Sequence, residues 1–307
     1  MKTPARMIMK SHYQKAVLMF LVIFTGVAHV ASQTALPATD IYLADIKMKS
    51  GRVEVGKPSK MTEWAGYDNQ PIFLPDGKSL FYTSIRDHGQ ADIYRYDIAG
   101  NSLANVTQTY ESEYSATVTP DGKFFSVIRV ERDSTQRLWK FPLAGGEASL
   151  VLEKVKPVGY QAWGDANTAA LFVLGNPPTL QIADVRTGNA EVVAQNIGRS
   201  LHKIPKQEAI SFVHKFGENE WLIKRLDLKT RTISTLVKTL PGSEDYAWTP
   251  QGILLMGQDS KLFQCDPKKN GEWQEIADFA IAGLKSITRL AVSPKGEKLA
   301  MVAIAAP

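Results

Sequence analysis

A single cysteine, Cys265, occurs in 307 residues, so no disulfide framework can form within the chain. CxxC pairs and Cys/His clusters are missing too, which removes the usual structural zinc sites. Of the five histidines none sits in HExxH or another metal-ligating spacing. There is no P-loop, dinucleotide-binding glycine fingerprint, EF-hand loop or GxSxG nucleophile turn. No helical period of useful length is present either, so an all-β chain is expected.

Net charge is nearly absent once it is partitioned. The formal charge of +5 and pI near 9.1 suggest a basic protein. Yet Lys2, Arg6, Lys10 and Lys15 lie in residues 1–32, which hold no acid, and the remainder carries 32 basic against 31 acidic residues. A nucleic-acid partner is therefore not expected. Those four cations precede the apolar run Ala16–Phe24, which weakens toward Ala31 and ends in the small residues Val30-Ala31-Ser32. This is the order of a secretory signal peptide, expected to be cleaved near Ser32. An uncleaved anchor is the other reading, but the run is about 16 residues and carries His29, short of a bilayer span. The expected division is 1–32 signal peptide and 33–307 folded domain, periplasmic or secreted, with no membrane span after cleavage.

A repeat organises the rest. Pro75-Asp76-Gly77-Lys78 returns as Pro120-Asp121-Gly122-Lys123, Pro250-Gln251-Gly252 and Pro294-Lys295-Gly296. Weaker copies at Pro205 and Asp165 fill the gap, the second placed by matching Ala162-Trp163 to Ala247-Trp248. Successive anchors are 45, 45, 40, 45 and 44 residues apart. Proline presets φ, Asp bonds its own backbone and Gly takes the positive φ, so each anchor reads as a hairpin turn. Short apolar segments flank each turn, and two more follow, as in Asp92–Ile98 or Arg137–Phe141 and then Glu191–Ala194 or Thr232–Val237. Four strands per repeat make the blade of a β-propeller. After Pro294 only one hairpin can form, while Asp40–Ile46 and Gly51–Val55 read as third and fourth strands without a preceding hairpin. Together these make one composite blade, leave no open sheet edge and give six blades, with the N-terminal strands closing the ring.

The Pro75–Lys78 turn, the strand Asp92–Gly100 and the segment Ala104–Thr109 resemble the TolB-like propeller repeat of bacterial envelope proteins. The resemblance runs from about Asp40 to Ile304, and it implies the fold, export and binding of other macromolecules. The family's separate α/β domain before the propeller has no counterpart in the roughly ten residues expected between the cleavage site and the first strand, so a role that depends on that domain is not carried over. The same repeat precedes α/β-hydrolase domains in certain peptidases, whose GxSxG has no match here.

Of the histidines beyond residue 32, His214 reads as a structural residue of an apolar strand and His88 as a solvated loop residue. Cys265 reads as a half-buried strand residue. Trp163 and Trp248, each two before an anchor, are expected between blades; Trp139 and Trp221 belong to third strands and Trp273 to a fourth. Calcium ligation by the Asp-Gly turns lacks the remaining ligands. No catalytic residue, metal or cofactor is expected. Function should sit where innermost strands begin, five to seven residues before each anchor, around one mouth of the channel. Those positions are Asp68, Asn69, Gln70; Glu113, Tyr114, Ser115; Val158, Gly159, Tyr160; Gly198, Arg199, Ser200; Ser243, Glu244, Asp245; and Ile287, Thr288, Arg289, with His202 and Tyr246 just inside. Opposed charges beside aromatics suit a polar ligand or peptide; mutual pairing that plugs the channel is the alternative. The expected function is a monomeric, non-catalytic module binding an envelope protein or peptide. The second reading is a hydrolase or lyase acting on a sugar-derived or lactone substrate.

Overall fold

The computed structural model describes residues 36–86, 89–218, 220–269 and 271–305. The proposed signal segment and His88 lie outside these residues. The chain first forms β1 (Asp40–Lys49), β2 (Arg52–Val55) and a short β3 (Ser59–Lys60). Blade A is β4 (Tyr67–Phe73), β5 (Ser79–Ile85), β6 (Ala91–Asp97) and β7 (Ser102–Asn105); blade B is β8 (Ser112–Val118), β9 (Phe124–Val130), β10 (Gln136–Pro142) and β11 (Ser149–Leu150). Blade C follows with β12 (Val158–Trp163), β13 (Thr168–Val173), β14 (Thr179–Asp184) and β15 (Asn189–Gln195). Blade D holds β16 (Ile197–Lys203), β17 (Ala209–Lys215), β18 (Trp221–Asp227) and β19 (Ile233–Lys238). Blade E holds β20 (Tyr246–Trp248), β21 (Leu254–Gln258), β22 (Lys261–Cys265) and β23 (Gln274–Asp278). The chain ends in β24 (Leu284–Lys285), β25 (Leu290–Val292) and β26 (Lys298–Ala305).

Blade F is the composite. Strand β26 pairs antiparallel with β1 from Asp40↔Ala303 to Asp45↔Lys298, β1 pairs with β2, and β25 lies on the inner side of β26. The sequence pattern did not signal β24 and β3, which add short pairings to β26 and β1. All six sheets are antiparallel, so the protein is an all-β, six-bladed propeller closed by its two ends.

The anchors perform the turn chemistry their residues imply. Gly77, Gly122, Gly252 and Gly296 have φ between 67° and 87°, and each amide donates to the carbonyl three residues earlier. Asp76 Oδ1 accepts from the Lys78 amide at 2.8 Å and Asp121 Oδ1 from Lys123 at 3.1 Å. In blade D, which lacks the glycine, Lys206 takes the positive φ (62°) one residue earlier, and the turn closes through the Gln207 amide to Ile204.

The core lies between blades. One cluster joins Ala170, Leu180 and Ile182 of blade C to Ile197, Ile210, Phe212 and Leu226 of blade D. Trp163 Nε1 donates to Ser126 Oγ of blade B and Trp248 Nε1 to Ser211 Oγ of blade D, both at 2.8 Å, as their shared position implies. Cys265 is fully buried rather than half-buried, and burial pushes its thiol up to about 11. His214 packs against Phe212 and Phe216.

The closing blade is the test of this architecture. Ile41 of β1 is fully buried against Leu80, Tyr82, Ala300 and Val302. Ile41→Ala is expected to lower stability by about 2–5 kcal/mol. Val192→Ala on the exposed outer strand should change it by less than about 0.5 kcal/mol. Equal urea midpoints for both variants would contradict closure through β1.

Candidate functional site

The first strand of four blades carries a register break at its start. Breaks fall between Asn69 and Ile72, Tyr114 and Thr117, Val158 and Tyr160, and Ile197 and Leu201. Gln70 and Ser115 take left-handed φ of 57° and 55° there. A bulge re-aims a side chain that strict alternation would turn toward a neighbouring blade. The result is a ring around the channel built from the residues five before each anchor: Gln70, Ser115, Tyr160, Ser200, Asp245 and Arg289, joined by Arg199.

The ring has two halves. On the side of blades A to C it is uncharged. Gln70 Oε1 accepts from the Ser115 amide at 2.7 Å and from Thr83 Oγ1 at 2.9 Å, and Gln161 Nε2 donates to the Ser115 carbonyl at 3.1 Å. On the side of blades D to F it is ionic. Arg199 grips Asp245 through Nε at 3.2 Å and Nη2 at 2.5 Å, and its Nε lies 3.2 Å from Glu244 Oε1. Glu244 sits behind it, paired with Lys215 Nζ at 2.6 Å. Arg289 Nη1 approaches Asp245 at 3.8 Å, while its Nη2 crosses the channel to the hydroxyl of Tyr160 at 3.0 Å. Blades C and F stand opposite each other, so Arg289 and Tyr160 form a bar across the mouth.

Electrostatics follow from these contacts. Burial alone would raise the Asp245 carboxyl, but Arg289 and Arg199 outweigh it and hold the group below its usual range. Burial likewise disfavours the Arg199 charge, yet Asp245 and Glu244 raise its pKa. Burial pushes His202 down to about 4, so its ring is neutral at pH 7. Tyr67, which the sequence reading overlooked, contributes its hydroxyl to Gln70 Nε2 at 3.3 Å, and burial beside Arg289 leaves it at about 12.

Below the ring the channel holds a cavity of about 480 Å³, walled by Ile72, Ala116, Val118 and Trp163 and reaching Pro120, Gly164 and Lys203 near the opposite end. The charged groups pair with one another at the mouth, and the cavity lies beside them. Of the residues expected at the mouth, Tyr160, Arg199, His202, Asp245 and Arg289 line this cavity. Asp68, Asn69, Glu113, Tyr114 and Glu244 do not. Asp68 is fully buried, neither carboxylate oxygen meets a donor in good geometry among the described residues, and burial raises its pKa against the pull of Ser84, Thr62 and Arg86. Glu113 is equally buried. Its Oε1 accepts from Thr109 Oγ1 at 2.7 Å and Arg129 Nε at 3.0 Å, Oε2 has no hydrogen-bond partner among the described residues, and burial pushes the carboxyl up to about 7. Asn69 bonds Thr39 Oγ1 instead, and Tyr114 is half-buried outside the cavity wall. Lys203 and Gln161 were missed; they lie three and one residues past the ring positions Ser200 and Tyr160, odd offsets that strict alternation assigns to the other face.

Ser200 Oγ lies 3.0 Å from His202 Nε2 at the cavity wall, which resembles the start of a nucleophile–base pair. A His held near 4 is a weak base, however, and Asp245 is committed to two arginines. Among the described residues no three His, Cys, Asp or Glu side chains are grouped to hold a metal ion.

No protein-family model matches the sequence, and none of the curated proteins does. Solved structures do match. A TolB-designated protein from Agrobacterium tumefaciens superposes with a TM-score of 0.68 at 16% identity, over 87% of this chain and 98% of that one. The fold is that of the TolB propeller. TolB from Acinetobacter baumannii gives 0.57 at 12% identity, over 87% of this chain and 64% of its own. An oligogalacturonate lyase in complex with manganese gives 0.55 at 16%, over 81% and 80%. At these identities the likeness speaks for the fold alone.

Two buried groups give pH signatures of opposite sign. Glu113 holds its proton more tightly folded than unfolded, so its contribution to stability falls as pH rises from about 4.5 to about 7, by roughly 3 kcal/mol. Glu113→Gln should remove that fall in urea midpoints taken across this window. His202 is shifted down, so stability present above about 6.5 is lost as pH drops toward 4. His202→Asn should flatten that acid-side decline. Slopes identical to the parent protein would refute either assignment.

Proposed function

We propose that this chain is an exported, non-catalytic binding module, monomeric as a propeller, whose channel mouth takes an extended peptide segment or loop of an envelope protein. The observation that carries the reading is the preorganised ring above a cavity of about 480 Å³: fixed hydrogen-bonding groups beside Tyr67 and Tyr160, with apolar walls below. Preorganised polar groups around an apolar well suit the capture of a chain segment at low ordering cost. The TolB-like fold supports a macromolecular partner, and the acid-free first 32 residues support export to the periplasm. No helix among the described residues is long and apolar enough to cross a membrane. The hydrolase or lyase reading rests on Ser200–His202 and on the lyase-like fold neighbour, and the weak basicity of His202 counts against it.

Two measurements test this. Mass spectrometry of the mature protein from its native envelope should find an N-terminus near residue 33; an intact Met1 would overturn export by cleavage. Cross-linking and co-purification from the same fraction should yield a partner that drops at least about tenfold when Arg199→Gln, Asp245→Asn and Arg289→Gln are combined, a set that removes the charges together without stranding one. An undiminished partner would move the site away from the mouth, and no partner from either form would count against a binding module.

A further inference from the structure

The charges of the channel wall do not balance. Arg199, Lys203 and Arg289 line the cavity, against Asp245 as the one acid among the described lining residues. Asp245 is already saturated by the two arginines, and Glu244, behind Arg199, is matched by Lys215. His202 adds no negative charge to offset the excess. The guanidinium of Arg199 spends Nε and Nη2 on Asp245, and no hydrogen bond among the described residues engages its Nη1; Arg289 likewise leaves Nε without one. Arg199 keeps about a third of its side chain exposed (37%). Each arginine thus keeps one nitrogen uncommitted, Nη1 of Arg199 and Nε of Arg289, on a guanidinium already fixed by a carboxylate or phenol, and such charge-assisted donors suit a carboxylate. The wall lacks the acids that would favour a basic segment or a metal ion.

We infer that the occupant of the channel is an acidic extended peptide, with an Asp or Glu side chain or a C-terminal carboxylate seated against Arg199 and Arg289 and its neighbouring apolar residues resting on Tyr160, Ile72 and Val118. This assignment rests on the binding-module reading and names the chemistry of what is bound. A carboxylate arriving there meets charge-assisted donors at a partly dehydrated site, so its replacement by an amide costs at least about tenfold in affinity. Binding weakens as salt rises, since part of the attraction is screened. The tyrosine end of the bar gives the occupant an aromatic surface as well, so the peptide reads as acidic and apolar together.

A display selection tests the inference without knowing the partner. Random decapeptides are selected on the immobilised folded propeller, then counter-selected on Thr117→Trp, which fills the channel without changing its charge; circular dichroism and a melting curve confirm the fold. Peptides retained by the parent and lost on the blocked form are expected to be enriched in Asp and Glu. Their Asn or Gln versions should bind at least about tenfold more weakly, and Arg289→Gln should abolish the discrimination. A channel-dependent pool without acidic enrichment overturns the carboxylate assignment while leaving the binding module intact. Failure to obtain any channel-dependent pool, with no saccharide binding either, overturns the binding reading itself. A uronic-acid oligosaccharide titrated alone is the third arm: binding by it with no peptide pool would keep the carboxylate chemistry but overturn a peptide as its source.

Discussion

Six backbone-paired residues at each end of the chain, β1 against β26, hold the ring shut, and everything else in the molecule depends on that pairing. Each blade buries its faces only against its neighbours, so an open ring would leave the faces of blades A and E without cover. Closure also fixes the channel. The ionic side of the mouth draws Arg199, Asp245 and Arg289 from three successive blades, and Arg289 reaches a tyrosine on the far side. These contacts have meaning only at the diameter that six blades set.

The local devices of the fold were legible because they are written in short-range chemistry. Pro-Asp-Gly makes its turn from its own residues, and the structure reproduces it down to the Asp side chain on the amide two residues on. The blade count followed from strands left over at the two ends. Even the glycine-poor anchor of blade D was placed correctly, although the positive φ moved to Lys206. Short β24 and β3 escaped, being two residues each with no periodic signal.

At the mouth the sequence defined a belt three residues deep, and the structure selects one layer of it. Bulges break the two-residue alternation at the start of the first strands, so counting faces from the strand interior outward fails there. Gln70 and Ser115 turn inward, while Asp68 and Glu113, two residues earlier, are driven between blades. The acids that made the belt look balanced on paper are thus withdrawn from the channel, and its character becomes cationic. Partners such as Arg129 and Thr109 for Glu113 are distributed over other strands and loops, where one sequence gives no hint of their meeting.

The composite blade also orders events in time. β1 is formed near the start of the chain, and its partner β26 near the end, so β1 must wait while five blades assemble before it. It is a strand with Asp40–Tyr42, Ala44 and Ile46 buried in the finished ring. Joining such distant segments adds little to the equilibrium cost, since loop entropy grows only as the logarithm of length, but it makes ring closure the late and slow event of folding. A nascent molecule therefore exposes one sticky ribbon and the unfinished flank of a ring at once, each complementary to the same feature of a second nascent molecule. Strand exchange between two such intermediates is the characteristic accident this topology invites, and the speed with which β1 finds its own β26 decides how often it happens.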